Sequence, residues 1–410
     1  MSSTSARKLR ILTPGLGAVS TTLMAGVMLA RKGLAKPIGS LTEYGDIDGV
    51  PLADMVASLD DIEFGAWDVF DESAYDVAAR SGVLSPAHLA EVEDELRAIR
   101  PLPGVFDPVW VQALAHADHI KQGDNLMELA DQLIADIESF RSAGERLVMI
   151  SCMSTEAYLE PTDVHADLAS FERGLKNNDP AISPSQVYAY AAIRAGVPYA
   201  NGAPSLSVDV PALVEMAEMH GVPIAGKDFK TGQTLIKTIL APGLKSRRLG
   251  IRGWFSTNIL GNRDGQVLDH PDNFRSKEVS KLGVLDSLLQ PEHNPDLYGD
   301  ITHEVRINYY PPRGDEKEGW DNIDIFGWLN YPMQIKVDFL CRDSILAAPI
   351  VLDLARLMDL ANRNGRGGVQ DFLGYYFKSP QPTYAGERVE HNLFTQEEIL
   401  LDAIRKMAAG

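Results

Sequence analysis

The sequence predicts an α/β protein: a doubly wound parallel sheet, interrupted in its second half by an α+β domain. Three observations predict it. As far as about residue 232, short apolar runs alternate with helical patterns, as a parallel sheet with crossover helices requires. Beyond residue 233 the runs lengthen and become aromatic and β-branched. "RRLGIRGWFSTNIL", "HEVRINYYPP" and "PMQIKVDFLC" suit a mostly antiparallel sheet with no helix between each pair of strands. Then "SILAAPIVLDLARLMDLANRNG" reads as a long helix ending at Gly365, which is expected to return the chain to the first unit. The expected division is residues 1–232, 233–344 and 345–410.

Taken in order, "LRILTPGLG" reads as a buried strand from Leu9 to Leu12 that ends in a tight turn, and "VSTTLMAGVMLARKG" as a helix that ends near Gly33. A strand, Gly-x-Gly and a helix form the phosphate cradle of a Rossmann unit. The glycines admit a pyrophosphate, and the helix N-terminus supplies unpaired N–H groups. Ser20 stands where a third glycine is usual, and its hydroxyl is expected to be an extra donor. The residues from about Lys36 to Asp60 read as an insertion. "IEFGAWDV" is the second strand, with Asp68 near its end and Asp71 expected to cap the helix that follows. "ERLVMISCMST" reads as a third buried strand, emerging in a polar turn at Ser154, Thr155 and Glu156. In "SPSQVYAYAAIRAG", Ser183 caps a helix with Pro184 at its first position. "VPYANGAPS" and "GVPIAGKDF" are further strands with polar turns.

Composition limits the function. The 410 residues are 45% hydrophobic and 23% charged, enough for a sizeable core. The formal net charge of −19 opposes nucleic-acid binding and attachment to anionic membranes. An anionic substrate therefore needs a local basic island. Cys152 and Cys341 are the only cysteines, which is neither a disulfide framework nor a zinc site and fits a reducing cytoplasm. The uncharged run from residue 11 to 30 looks like a membrane span, but Pro14, Gly15, Gly17 and three hydroxyl residues interrupt it.

Lysines and carboxylates gather beside Gly, Asn and Ser at the ends of apolar strands, where an α/β sheet places its site. "GKDFKTGQT" carries Asp228 and Lys230, "TNILGNRDG" carries Asn258, Asn262 and Asp264, and "FRSKEVSK" carries Lys277 and Lys281 one helical turn apart. "RGDEKEG" carries Lys317, "CRDS" carries Asp343 and "YYFKSPQP" carries Lys378, each read as a turn position.

These motifs, with "PGLGAVSTT", "FGAWDV" and "YANGAPS", resemble the myo-inositol-1-phosphate synthase family, in order and over nearly the whole chain. The resemblance implies a Rossmann domain interrupted by a catalytic and tetramerisation domain, tightly held NAD, and a cytoplasmic homotetramer. It implies conversion of glucose 6-phosphate to 1D-myo-inositol 3-phosphate by oxidation at C5, enolisation, aldol closure of C6 on C1, and reduction. Matched residue by residue, Lys277 and Lys378 would carry protons near the C5 hydroxyl, and Lys281 and Lys317 would stabilise the C1 oxygen and the enolate. Asp228 and Asp343 would orient lysines and the cofactor amide. Asn258, Asn262, Asp264 and Lys230 would bind substrate. NAD would meet Gly15, Leu16, Gly17, Ala18, Val19, Ser20, Asp68, Ser154, Thr155, Asn201, Gly202 and Asp228. No metal is expected. Lys227 stands where the family often has an acid, and "SLSVDVP" replaces a longer loop. Two alternatives stay open: a variant that cyclises another sugar phosphate, and a nicotinamide dehydrogenase with net oxidation.

Overall fold

The computed structural model describes residues 8–141, 145–268, 284–384 and 386–409. "FRSKEVSK", with Lys277 and Lys281, lies outside the described residues.

Eleven strands and ten helices position the site. The strands are β1 (Leu9–Pro14), β2 (Ile62–Asp68), β3 (Leu102–Pro103), β4 (Arg146–Ser151), β5 (Tyr199–Asn201) and β6 (Pro223–Gly226), then β7 (Gly250–Leu260), β8 (Thr302–Tyr309), β9 (Glu316–Phe326), β10 (Pro332–Arg342) and β11 (Gly368–Val369). The helices are α1 (Ala18–Arg31), α2 (Ala74–Ser81), α3 (Leu126–Phe140), α4 (Leu168–Asn177) and α5 (Pro184–Arg194), then α6 (Pro211–His220), α7 (Gly232–Ser246), α8 (Arg263–Leu268), α9 (Asp343–Arg363) and α10 (Leu393–Ala409).

The first sheet runs β11-β6-β5-β4-β1-β2-β3, and all its pairings are parallel. From β3 to β6 this is the doubly wound order, with its switch point between β1 and β4. The apolar runs form central strands because both faces are covered: Leu9, Ile11, Leu12, Val148, Met149 and Ile150 are all fully buried. The C-terminal return is part of this layer. Val351, Leu354, Ala355, Leu357 and Met358 of α9 are fully buried, and the helix packs on α1 and β4.

The insertion before β2 is a small hairpin of Asp46–Ile47 against Val50–Pro51 with short helical turns. One buried carboxylate ties it down. Asp353 of α9 accepts from the Ser40 and Thr42 hydroxyls and from the N–H groups of Leu41 (2.7 Å) and Thr42 (3.1 Å). Burial pushes its carboxyl above the usual range, against the pull of those donors.

The second sheet runs β8-β7-β9-β10. The β7–β8 pair is parallel and the other two pairs are antiparallel. One face packs on α7 and the helical segment 284–289 through Ala241, Trp254, Leu285, Leu289 and Ile323.

Two expectations change, and one helix is new. Lys317 lies in β9, not in a turn. "RGDEKEG" has turn-like composition, but ladder pairing overrides that weak propensity: Lys317 pairs with Cys341 of β10, and from Glu318 the strand pairs with β7 as well. The helix after β2 is capped by Ser73, whose hydroxyl accepts from the Asp76 N–H at 3.2 Å, because it starts two residues later than Asp71 allows. Helix α7, unread in the sequence, separates the Asp228 loop from β7. Its apolar residues are diluted by Gly232, Gly243 and the internal Pro242, which hides the helical period.

Candidate active site

A cavity of about 480 Å³ opens where the C-terminal edge of the parallel sheet meets the end of the second sheet. The turn after β1, the turn after β4, the loop after β5 and the Asp228 loop wall it on one side. Asn262, Asp315, Asp343 and Ser344 wall it on the other.

The turn after β1 is shaped for an anion. Gly15 has φ +88°, and a Cβ there would meet the Cys152 carbonyl oxygen at 2.6 Å, so only glycine fits. Gly17 caps α1 with no side-chain hydrogen bond, and the first turn holds no acid. A Cβ on Gly17 would find nothing within 4 Å, because the position faces the cavity. An uncapped helix end beside open space is a fit for a pyrophosphate. Ala18, Val19, Ser154, Thr155 and Gly202 line the same space.

Several expected contacts stand behind this wall rather than in it. The Ser20 hydroxyl donates to the Gly15 carbonyl at 2.6 Å and holds the turn from inside. Asp68 accepts from the Leu16 N–H at 2.7 Å and fixes the other side of the turn. Asn201 is fully buried. Its amide donates to the Ser205 carbonyl (2.7 Å), and its oxygen accepts from the Ala203 N–H (3.0 Å). None of Gly15, Leu16, Ser20, Asp68 and Asn201 lines the cavity.

Two lysine–carboxylate ion pairs stand at the cavity. The Lys378 ammonium lies 3.0 Å from Asp228, with side chains 3% and 2% exposed. Pairing of the backbone segments around them sets that distance: Lys378 N–H donates to the Asp228 carbonyl, and Lys227 and Ser379 exchange two bonds. The Lys317 ammonium lies 3.1 Å from Asp343 at the start of α9. Asp228, Lys378 and Asp343 line the cavity, while Lys317 stands behind Asp343.

Asn262 also lines it, donating to Asp315 at 2.9 Å and accepting from the Gly265 N–H. Asp264 lies in α8, and its side chain is outside the described residues. Asp315 was missed in the sequence. It is buried, lines the cavity and accepts from Asn262 and Ser344. Burial pushes its carboxyl up, and the Asp343 charge adds to that. Its place two residues before Lys317 was the available signal.

Lys230 and Asn258 are not among the lining residues. Lys230 donates to Gln396 of α10 and lies 5.8 Å from the Tyr375 ring, and burial lowers its ammonium to about 7. Asn258 donates to Gln233 inside the second sheet's core. Cys152 lines the cavity, but burial pushes its thiol up to about 12, which leaves it a poor nucleophile. Lys227 pairs with Asp209 at 2.5 Å, so the unusual residue and the shortened loop contact each other.

A family profile described as myo-inositol-1-phosphate synthase matches residues 9–405. Inositol-3-phosphate synthase 1 of Bacteroides thetaiotaomicron is 52% identical over 98% of this chain and 95% of its own. Inositol-3-phosphate synthase isozyme 1 of Arabidopsis thaliana is 32% identical over 98% of this chain and 86% of its own. The solved inositol-3-phosphate synthase of Caenorhabditis elegans superimposes with a TM-score of 0.92, at 27% identity, over 98% of this chain and 86% of that one. The chain therefore belongs to the myo-inositol-1-phosphate synthase family, whose cofactor is NAD.

Proposed function

We infer that this chain converts glucose 6-phosphate to 1D-myo-inositol 3-phosphate. The carrying observation is the cavity that joins an uncapped helix end to two lysine–carboxylate pairs, one buried and one partly buried. When bound, NAD supplies the acceptor and donor of one electron pair, so the net reaction is redox-neutral. Gly17, Ala18 and Val19 would hold its pyrophosphate, with Ser154, Thr155 and Gly202 along the same wall. Gly15, Leu16, Ser20, Asp68 and Asn201 would shape those turns.

The chain's own task is to move protons and hold negative charge on sugar oxygens. Lys378, oriented by Asp228, would take and return the proton of the reacting hydroxyl. Lys317, oriented by Asp343, would stabilise the oxyanion that forms on ring closure. The Lys378–Asp228 pair is shielded from water, where fixed charges act most strongly, and the Lys317 ammonium is nearly so, although Asp343 is partly exposed. By the family resemblance, Lys277 would share the proton-carrying role at the C5 hydroxyl and Lys281 the stabilisation of the C1 oxygen and the enolate; both lie outside the described residues. Asn262 and Asp315 would meet sugar or cofactor polar groups, with Asp264 in the helix behind them.

Residues 1–232 and 345–410 would form the cofactor unit, and 233–344 the catalytic and oligomerisation unit. A homotetramer through the second sheet is supported by its exposed edge: Trp328, Leu329 and Tyr331 are 87%, 74% and 70% exposed, beside Met333 and Leu340. A cytoplasmic location is part of the same reading, and no helix among the described residues is long and apolar enough to cross a membrane.

The test is purified protein with glucose 6-phosphate and NAD, with products identified by NMR and absorbance followed at 340 nm. Inositol phosphate without free NADH is expected. Stoichiometric NADH would instead mean a net dehydrogenase.

A further inference from the structure

A second cavity, of about 300 Å³, lies away from the first. Its walls come from the C-terminal end of α7, the segment 284–290 and the stretch before α10. Lys245, Arg248, Ser287, Gln290, Glu390 and Asn392 line it. We propose that this cavity binds a small phosphate-bearing anion.

The cations are held for it. The Lys245 ammonium donates to the Leu288 carbonyl at 2.7 Å and to Gln290 at 3.1 Å, which fixes its position and leaves one of its three N–H groups. Arg248 sits in the left-handed region at φ +55°, a place where helix ends prefer glycine, so an arginine there is held against a backbone preference. Arg388 is anchored by Glu292 and by the Asp286 and Ser287 carbonyls, and brings a third positive charge. Burial and the Arg388 and Arg248 charges hold the Lys245 ammonium below its ordinary value, although Glu390 and Glu292 oppose them. Lys245, Arg248 and Arg388 thus meet Glu292 and Glu390 here, an excess of one cation among these groups in a chain of net charge −19. The volume suits a phosphate on a small carbon skeleton rather than a dinucleotide.

The place also connects to the first cavity. Helix α7 begins directly after the Asp228 loop. Glu390, in the wall of the second cavity, is the acid whose charge acts on buried Lys230, two residues from Asp228. Charge added at this wall is thus felt at the base of the catalytic loop.

The experiment is calorimetric titration of inorganic phosphate into NAD-loaded full-length protein, wild type and Arg248→Gly. Glycine removes the cation and relieves the backbone, so the variant is expected to fold. Wild type should bind a phosphate that Arg248→Gly binds at least tenfold more weakly, whether or not another phosphate enters the first cavity. Lys245→Met should show the same loss. No phosphate bound by wild type, or phosphate bound by Arg248→Gly with the stoichiometry of wild type and within twofold of its affinity, overturns the site. These readings need no turnover of glucose 6-phosphate, so they stand or fall apart from the proposed reaction.

Discussion

The two sheets build opposite sides of one cavity by different means. On the parallel side the functional groups are largely backbone: the turn after β1, the open end of α1 and the loop after β5. On the other side they are side chains brought together from distant positions, Asn262 to Asp315 and Lys317 to Asp343. Backbone sites announce themselves locally, because a turn and a helix end are properties of neighbouring residues. Side-chain sites depend on strand register and helix placement, which no short window contains.

The comparison breaks most sharply at the Lys378–Asp228 pair, which bridges the parallel sheet and the return. Lys378→Met is expected to cost about a hundredfold to a thousandfold in kcat. It should also cost about 3–5 kcal/mol of stability, because buried Asp228 loses the cation 3.0 Å away. Adding Asp228→Asn should restore stability and not turnover. Urea unfolding and single-turnover kinetics separate the two, and a folded Lys378→Met enzyme of near wild-type rate would remove its role.

Gly17→Asp tests the backbone side. The side chain has room, so the fold should survive. A negative charge at the helix end should still weaken NAD retention at least tenfold. Cofactor absorbance after gel filtration measures it. Gly15→Ala is the contrast, since it should lower stability itself by about 1–2 kcal/mol or more at a left-handed position with no space.

Lys230 gives a pH prediction. Its ammonium is held at about 7 by burial, below its ordinary value of 10.5. The unfolded chain therefore binds more protons between those values, and stability should rise with pH across that window. Relative to Lys230→Met, wild type should gain about 2 kcal/mol from pH 7 to pH 9. A pH-independent difference between the two would show that Lys230 is not buried as described.

The smallest effect is expected for Ser20→Ala. It removes one hydrogen bond inside the turn, worth about 1 kcal/mol, and should leave kcat within about twofold. A large loss of NAD affinity would instead put Ser20 in contact with the cofactor.

Much of the parallel half was legible from the chain itself. "LRILTPGLG", the Ser183 cap with Pro184, and the long helix ending near Gly365 each carry their instruction in adjacent residues, through apolar runs, glycine and capping chemistry. Sequence also placed Asp228, Lys378, Asn262 and Asp343 at polar positions beside apolar runs. It could not say which polar residue of a loop faces inward. In "GKDFKTGQT", Asp228 lines the cavity while Lys230 turns to Gln396, because the second position is covered by α10, more than 160 residues further along the chain.

By its own pattern, then, the sequence determined the alternation of strands and helices, the phosphate-cradling turn and the family to which the chain belongs. Periodicity, caps and glycine act over a few residues and need no distant partner. The tertiary structure alone decided that Ser20, Asp68 and Asn201 stand behind the wall, that Lys317 rides a central strand to meet Asp343, and that Asp315 belongs to the site. Those outcomes depend on how two sheets and a returning helix close on one another, and the energy that selects them comes from burial and ion pairing between segments far apart in the chain.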